Sequence, residues 1–165
     1  MPIASVITIE TKKIAEETAG FCAIVDITAK LKAHIRSAQI RAGTATLFVS
    51  GSTAALTTIE HEPGLAQDLK EFVEKLIPAD RRYHHDERWG DDNDFSHGAR
   101  VFQPASNGGL ESPPSIRTAL FGPSLAIPIE NGAPCLGTWQ QVILLDFDNR
   151  PRQREIIVQL IGEKA

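Results

Sequence analysis

The stretch QVILLDFDNRPRQREIIVQLI, from Gln141 to Ile161, decides the fold. Its two ends, Gln141–Phe147 and Glu155–Ile161, are rich in apolar and β-branched residues, which predicts two strands. Between them the run Asp148–Asn149–Arg150–Pro151 consists of residues typical of a turn. The stretch therefore predicts two strands joined by a turn.

The segments before this stretch predict further strands and two main helices. The strands are expected at Val6–Thr11, Gly20–Thr28, Ala42–Ser50, Ala54–Ile59 and Leu125–Ile129. Helical spacing of Leu31, Ile35 and Ala38 predicts the first helix. The second begins at Pro63, carries the apolar stripe Leu65, Leu69, Phe72 and Leu76, and stops at Pro78. Because strands and helices do not alternate regularly, we expect an α+β fold with a largely antiparallel sheet.

Length and composition indicate one globular domain over residues 1–165. The net charge of −4 argues against nucleic-acid binding, since nucleic-acid-binding domains are usually basic. No run approaches 18 apolar residues and the first residues lack an apolar signal core, so we expect a cytoplasmic protein without a membrane segment. Cys22 and Cys135 are expected to be unpaired cysteines in a reducing compartment.

The segment Tyr83–His97 is the strongest functional candidate. Four of the five histidines lie between residues 61 and 97, and aspartates and an asparagine accompany them in this turn-rich region. Histidines with nearby carboxylates could hold a divalent metal ion with an open position for a substrate. The same side chains could instead perform acid–base catalysis without a metal, or simply form turns.

Two further groups of polar residues lie near strand ends. Ser52 and Thr53 follow Gly51, and free N–H groups in such a turn could bind an anion such as phosphate, although a simple turn is the alternative. If the strand continued, Glu60 and Glu62 would point to the same face and form a pair of carboxylates. The alternative is that they cap the second helix.

Trp139 and Gln140 lie just before the predicted strand at Gln141–Phe147. The indole could stack on a flat ring while the neighbouring amide forms a hydrogen bond with the edge of that ring. A tryptophan of the core beside the start of a strand is the alternative.

Taken together, four segments resemble the YjbQ family, also called secondary thiamine-phosphate synthases. They are GSTAALTTIEHEPGLAQDL, YHHDERWGDDNDFSH, LFGPSLAIPI and LGTWQQVILLDFDNRPRQREIIVQL, in this order along nearly the whole chain. The resemblance implies a compact α+β domain with a β-sandwich-like core, assembled as a homotrimer with sites near subunit boundaries. It also implies a weak thiamine-phosphate synthase activity, which joins a hydroxymethylpyrimidine pyrophosphate to a thiazole phosphate.

The resemblance also implies which residues form the site. The positions that match the family's motifs are Ser52, Thr53, Glu60, Glu62, His85, Asp92, Asn93, His97, Trp139 and Gln140. Within this set, His85 and His97 would bind a divalent ion such as zinc or magnesium, with Asp92 or Glu62 as a further ligand. The same four residues would form the catalytic group. The remaining six would bind the substrates. Among them, Ser52 and Thr53 would contact the phosphate oxygens, and Trp139 and Gln140 would contact the pyrimidine.

The chain departs from the family in two places. Gly51 stands where many members have a histidine, so a ligand from that position is missing. An insertion of about 19 residues, at about 98–116, separates the Ser96–His97 motif from the next matching segment. Two other functions fit the same residues: a non-catalytic binder of a small phosphorylated metabolite, and a metal-dependent hydrolase.

Overall fold

The strands form two antiparallel sheets in the computed structural model, which describes residues 7–79, 81, 83 and 114–164. The strands are β1 (Ile7–Thr18), β2 (Ala23–Asp26), β3 (Ile40–Val49), β4 (Ala54–Ile59), β5 (Ser124–Glu130), β6 (Ala133–Pro134), β7 (Gln141–Asp146) and β8 (Arg152–Lys164). The helices are α1 (Thr28–Ala38), α2 (Pro63–Leu76) and α3 (Pro114–Phe121).

One sheet has the strand order β1-β8-β3-β5-β6, and the other has the order β2-β7-β4. Every pairing between neighbouring strands is antiparallel. The predicted α+β fold with a mostly antiparallel, sandwich-like core is therefore confirmed. The predicted turn at Asp148–Pro151 joins β7 to β8, but these strands belong to different sheets, so the turn carries the chain between the two layers.

The main core lies between the two sheets and includes α1. Its buried residues come from the inner faces of both sheets, and Leu31, Ile35 and Ala38 of α1 join them as their spacing predicted. A second cluster on the other face of the three-stranded sheet contains Val73 of α2 and Phe147. β7 is thus covered on both faces, which explains its unbroken apolar sequence.

Helix α2 does not bury the stripe that the sequence predicted. Val73 is its buried residue, whereas Phe72 is 60% exposed and Leu76 is 51% exposed within the described part of the chain. The helix rests on the sheet through the side that carries Leu69 and Val73, because these residues join the cluster around Phe147. Periodicity identified the helix correctly but placed its contact face one residue away.

Helix α3 was not predicted from the sequence, and its first residues overlap the end of the expected insertion. The rest of that insertion lies outside the described residues. Arg117 ties α3 to the end of α2: its Nε donates to the Ile77 carbonyl at 3.1 Å and its Nη2 to the Glu74 carboxylate at 2.6 Å. In the described residues, no helix combines the length and apolar character needed to cross a membrane.

Candidate functional site

The predicted site residues that the structure describes lie at two opposite ends of the pair β4–β7. Ala54 is paired with Asp146 and Ile59 with Gln141, so Ser52 and Thr53 precede one end while Trp139 and Gln140 lie at the other. With about 3.3 Å per strand residue, the two ends are about 20 Å apart. We call them the turn end (Gly51, Ser52, Thr53, Asp146, Asp148, Arg152 and Arg154) and the tryptophan end (Glu60, Glu62, Trp139 and Gln140).

At the turn end, the backbone of Gly51, Ser52 and Thr53 offers three successive N–H groups. None of them donates a hydrogen bond to a residue that the structure describes. Gly51 has a φ of +129°, a conformation that glycine adopts at much lower cost than other residues. Ser52 is exposed beside it. Successive N–H groups without partners could donate to an anion, which is one of the two interpretations that the sequence offered for this turn.

A buried polar cluster lies beneath this turn. Asp146 is fully buried and Arg154 is 9% exposed. Arg154 holds both oxygens of Asp146, with Nε 2.7 Å from Oδ2 and Nη2 2.6 Å from Oδ1, and its Nη2 is 3.2 Å from Asp148. Arg152 donates to the same Asp148 oxygen at 2.8 Å. Two arginines and two aspartates therefore neutralise each other below the turn.

Sequence reasoning missed this cluster, although the sequence contains a signal for it. Along β8 the inward residues are Ile156, Val158 and Leu160, and Arg154 stands at the same alternate position. A charged residue at an inward strand position requires a buried partner. Asp146, at the end of the fully buried strand β7, is that partner.

The aspartates and the arginines of the cluster stabilise each other's charged forms. Burial alone would raise the pKa of Asp148, but hydrogen bonds from Arg152 and Thr53 and the charges of both arginines hold it below its ordinary value. Burial likewise disfavours the charged form of Arg154, yet the hydrogen bonds and charges of Asp146 and Asp148 raise its pKa. The carboxylate and the guanidinium are thus both kept charged.

The hydroxyl of Thr53 is already used by this cluster. Its Oγ1 donates to Asp148 at 2.9 Å and accepts from Nη2 of Arg154 at 2.7 Å. The predicted direct contact between this hydroxyl and a phosphate therefore competes with two existing hydrogen bonds. Of the two predicted hydroxyls, that of Ser52 and not that of Thr53 remains exposed for a ligand.

At the tryptophan end, Trp139 is 69% exposed, so the indole is not a core residue. Gln140 is held in place because its Nε2 donates to Thr58 at 2.8 Å and its Oε1 accepts from the Gly137 N–H at 3.0 Å. An exposed indole beside a fixed amide fits the predicted contact with a flat ring. The remaining hydrogen-bonding capacity of Gln140 is one donor and one lone pair.

Glu60 and Glu62 do not form the predicted pair on one strand face. β4 ends at Ile59, and the Glu62 N–H then donates to the Glu60 carbonyl at 3.1 Å. The Glu62 carboxylate caps α2 by accepting from the N–H groups of Gly64 and Leu65. Helix capping, which the sequence left as the alternative, is thus what the structure shows for Glu62.

The remaining predicted residues, His85, Asp92, Asn93 and His97, lie outside the described residues. Helix α2 starts shortly after Ile59 and runs until Val73 joins the cluster of Phe147. Tyr83 donates its hydroxyl to the Pro78 carbonyl at 2.9 Å, just beyond the helix. Among the residues described, no group of three acidic, histidine or cysteine side chains could hold a metal ion.

Comparison with known proteins agrees with this fold. The sequence profile of the family described as UPF0047 protein YjbQ-like matches residues 12–163. A UPF0047 protein of Archaeoglobus fulgidus is 33% identical over 145 residues, which cover 88% of this chain and 96% of that protein. A UPF0047 protein of Synechocystis is 36% identical over 141 residues, covering 84% of this chain and 82% of the relative.

Solved structures show the same architecture. A YbjQ-like protein of unknown function from Sulfolobus solfataricus superposes with a TM-score of 0.77 at 26% identity, covering 96% of this chain and all of that one (100%). A YjbQ/UPF0047 protein of Clostridium acetobutylicum gives a TM-score of 0.71 at 27% identity, covering 90% of this chain and 98% of that one.

Proposed function

The chain belongs to the YjbQ-like UPF0047 family, and from this premise we propose that it binds a small phosphorylated metabolite at the turn end and acts as a weak thiamine-phosphate synthase. The reaction forms a bond between the thiazole nitrogen and the methylene carbon of hydroxymethylpyrimidine pyrophosphate. The bond from that carbon to pyrophosphate breaks, and pyrophosphate leaves with the electron pair.

The observation that carries this proposal is the set of free N–H groups at Gly51, Ser52 and Thr53. A departing pyrophosphate needs donors that stabilise its developing negative charge. Successive backbone N–H groups held by a rigid base supply such donors without reorganisation. The ionised cluster of Asp146, Asp148 and Arg154 provides that base, since Thr53 is hydrogen-bonded to two of its members.

In this proposal the pyrimidine ring binds at the tryptophan end. Trp139 would stack on the pyrimidine, with Gln140 at its edge and Glu60 nearby, because the exposed indole is the one large aromatic surface predicted for this role. Positioning of the two reactants would then account for most of the acceleration.

The separation of about 20 Å between the two ends also supports a homotrimer with sites at subunit boundaries, since one small ring system cannot touch both ends of one β4–β7 pair. An exposed apolar row on the five-stranded sheet offers a surface for self-association: Ile9 is 64% exposed beside its partner Ile161, which is 38% exposed. In such an assembly the turn end of one subunit would meet the tryptophan end of the next.

The divalent ion stays part of the proposal: His85 and His97 would bind it, Asp92 or Glu62 would be a further ligand, and Asn93 would bind substrate. Glu62 is a weaker candidate for the further ligand than Asp92, because its carboxylate already accepts a hydrogen bond from the Gly64 N–H at the start of α2. Metal analysis of the purified protein and of the His85→Ala and His97→Ala variants tests this part. Equal metal content in all three proteins would remove both histidines from the proposal.

We further place the protein in the cytoplasm, where its two cysteines would stay reduced. Both Cys22 and Cys135 are free in the structure. Free cysteines accord with a reducing compartment.

The direct test measures thiamine phosphate by mass spectrometry after incubation with the two substrates. Ser52→Glu, which places a negative charge beside the free N–H groups, should abolish product formation. Ser37→Glu is the matched control, because Ser37 lies on the exposed side of α1 and its hydroxyl donates to the His34 carbonyl at 3.0 Å, away from the turn end. Binding of pyrophosphate without any product would favour the non-catalytic binder over the synthase.

Mixing variants tests whether neighbouring subunits share the site. Ser52→Glu and Trp139→Ala each damage a different end, so each variant alone should be inactive. After the two chains are unfolded, mixed in equal amounts and refolded together, about one quarter of the boundaries in a cyclic assembly would combine two intact ends. Recovery of about one quarter of the activity supports the shared site, whereas no recovery means that each site lies within one chain.

A further inference from the structure

One donor group of Arg154 has no partner in the buried cluster. Nε and Nη2 of this side chain are bound to Asp146, Asp148 and Thr53. Nη1 donates to no residue in the parts of the chain that the structure describes. The Arg154 residue as a whole is 9% exposed, so its remaining N–H donors have limited access to water and can gain from a further acceptor.

This unfilled donor lies directly under the Gly51 turn. A Cβ atom built on Gly51 would be 3.4 Å from Nη1 of Arg154, and among the described residues other than the neighbours of Gly51 no further heavy atom would be within 4 Å of it. The guanidinium therefore adjoins the turn at the position where the glycine lacks a side chain. The free N–H groups of Gly51, Ser52 and Thr53 belong to the same turn.

We propose that Arg154, through Nη1, is the side chain that contacts the phosphate held at the Gly51–Thr53 turn. This inference rests on the proposed phosphate site and identifies its charged donor. An oxygen of the phosphate accepts from Nη1 while other oxygens accept from the backbone N–H groups, as charge-assisted hydrogen bonds favour. Thr53 is then a positioning residue, because its hydroxyl joins Nη2 of Arg154 to Asp148 instead of binding the ligand.

The structure favours this role over a purely structural one because the ion pairs are complete without Nη1. Asp146 receives both Nε and Nη2, and Asp148 receives Arg152, Thr53 and Nη2. Nothing in the described cluster needs the second terminal nitrogen. A lysine would keep the charge, but its three donors share one nitrogen and lack the fork that presents Nη1 apart from Nε and Nη2.

The test is a titration of the ¹⁵N-labelled wild-type protein with inorganic pyrophosphate, followed by nuclear magnetic resonance. We expect the backbone N–H signals of Gly51, Ser52 and Thr53 and the Nη1 signal of Arg154 to shift with the same dissociation constant. Backbone shifts with an unmoved Arg154 signal would overturn the role of Arg154 and leave the phosphate site standing. Pyrophosphate that shifts none of these signals would overturn the phosphate site together with the inference.

A pair of variants adds a second, independent readout. Arg154→Lys should weaken pyrophosphate binding about tenfold or more, since one charge-assisted hydrogen bond is lost. Arg41→Lys is the matched control, because Arg41 is 57% exposed, pairs with Glu163 and lies outside the turn end, and it should retain affinity within about twofold. Thermal melts confirm that both variants fold, and equal affinity in folded Arg154→Lys and wild-type protein would contradict the proposal.

Discussion

Replacement of Arg154 by methionine should destabilise the fold far more than the loss of an exposed charge. The change leaves Asp146 fully buried and without its cation. Asp146 loses hydrogen bonds of 2.7 and 2.6 Å, and Asp148 loses one of 3.2 Å. Breaking a buried ion pair in this way costs about 3–5 kcal/mol. A domain of ordinary stability has about 5–15 kcal/mol in all, so the variant should lose about a fifth or more of it.

Two further variants separate the buried charge from lost packing. Asp146→Asn combined with Arg154→Met removes both charges: the amide oxygen can still accept from the Asp148 N–H, and the amide NH2 can donate to the Thr18 hydroxyl, which accepts instead of donating. The double variant should recover about 2 kcal/mol or more relative to Arg154→Met alone. Lys13→Met is the surface control, because Lys13 and Glu155 are 62% and 51% exposed and such pairs contribute about 1 kcal/mol or less.

The assay is urea unfolding at pH 7, with all proteins at one chain concentration because self-association would shift the midpoint. A loss below about 1 kcal/mol for Arg154→Met would refute the reasoning, since it would equal the surface control. A double variant no more stable than Arg154→Met would show that lost packing and not the unpaired carboxylate causes the effect.

Three further outcomes follow from individual contacts. The pKa of Asp148 in the folded state is below its ordinary value, so its contribution to stability is present above the aspartate range and is lost as pH falls through the folded pKa. The urea concentration at the unfolding midpoint should therefore decrease when the pH is lowered below about 4, and it should decrease less in Asp148→Asn. Glu62→Ala should cost about 1 kcal/mol in urea unfolding through loss of the cap on α2, and an unchanged midpoint would contradict that role. Trp139→Ala should leave the thermal midpoint within about 2 °C while abolishing synthase activity, because the indole is 69% exposed; a large drop in the midpoint would instead reveal a structural role.

Much of the fold could be predicted because it follows from local patterns. The spacing of Leu31, Ile35 and Ala38 fixed α1 correctly, and β4 begins and ends at the predicted residues. The extent of β1 was underestimated, because its charged second half reads as polar sequence while it pairs with β8 as far as Thr18. The outward charges suit an edge strand, and that position depends on the sheet order, which no local pattern contains.

The candidate site was predictable only in part, since it depends on register. The sequence identified Ser52, Glu62 and Trp139 as polar or aromatic residues at strand ends, but only the pairing of Ala54 with Asp146 shows which ends coincide. That pairing places the predicted site residues at two opposite ends of the β4–β7 pair. It also brings the fully buried Asp146 under the turn, where alternate spacing in β8 could have signalled Arg154 as its partner.

The neutrality of the cluster beneath the turn limits what kind of ligand the proposed phosphate site would select. Two arginines and two aspartates cancel, and the whole chain carries a net charge of −4, so no positive field attracts anions from a distance. Affinity at the proposed site would then come from directed donors at short range, namely the backbone N–H groups of the turn and Nη1 of Arg154. Short-range donors in a partly buried site are screened much less by salt than an open basic patch is. Selection between anions therefore depends on the geometry of the oxygen atoms and not on total charge, which suits a site that has to hold the phosphate end of a particular metabolite.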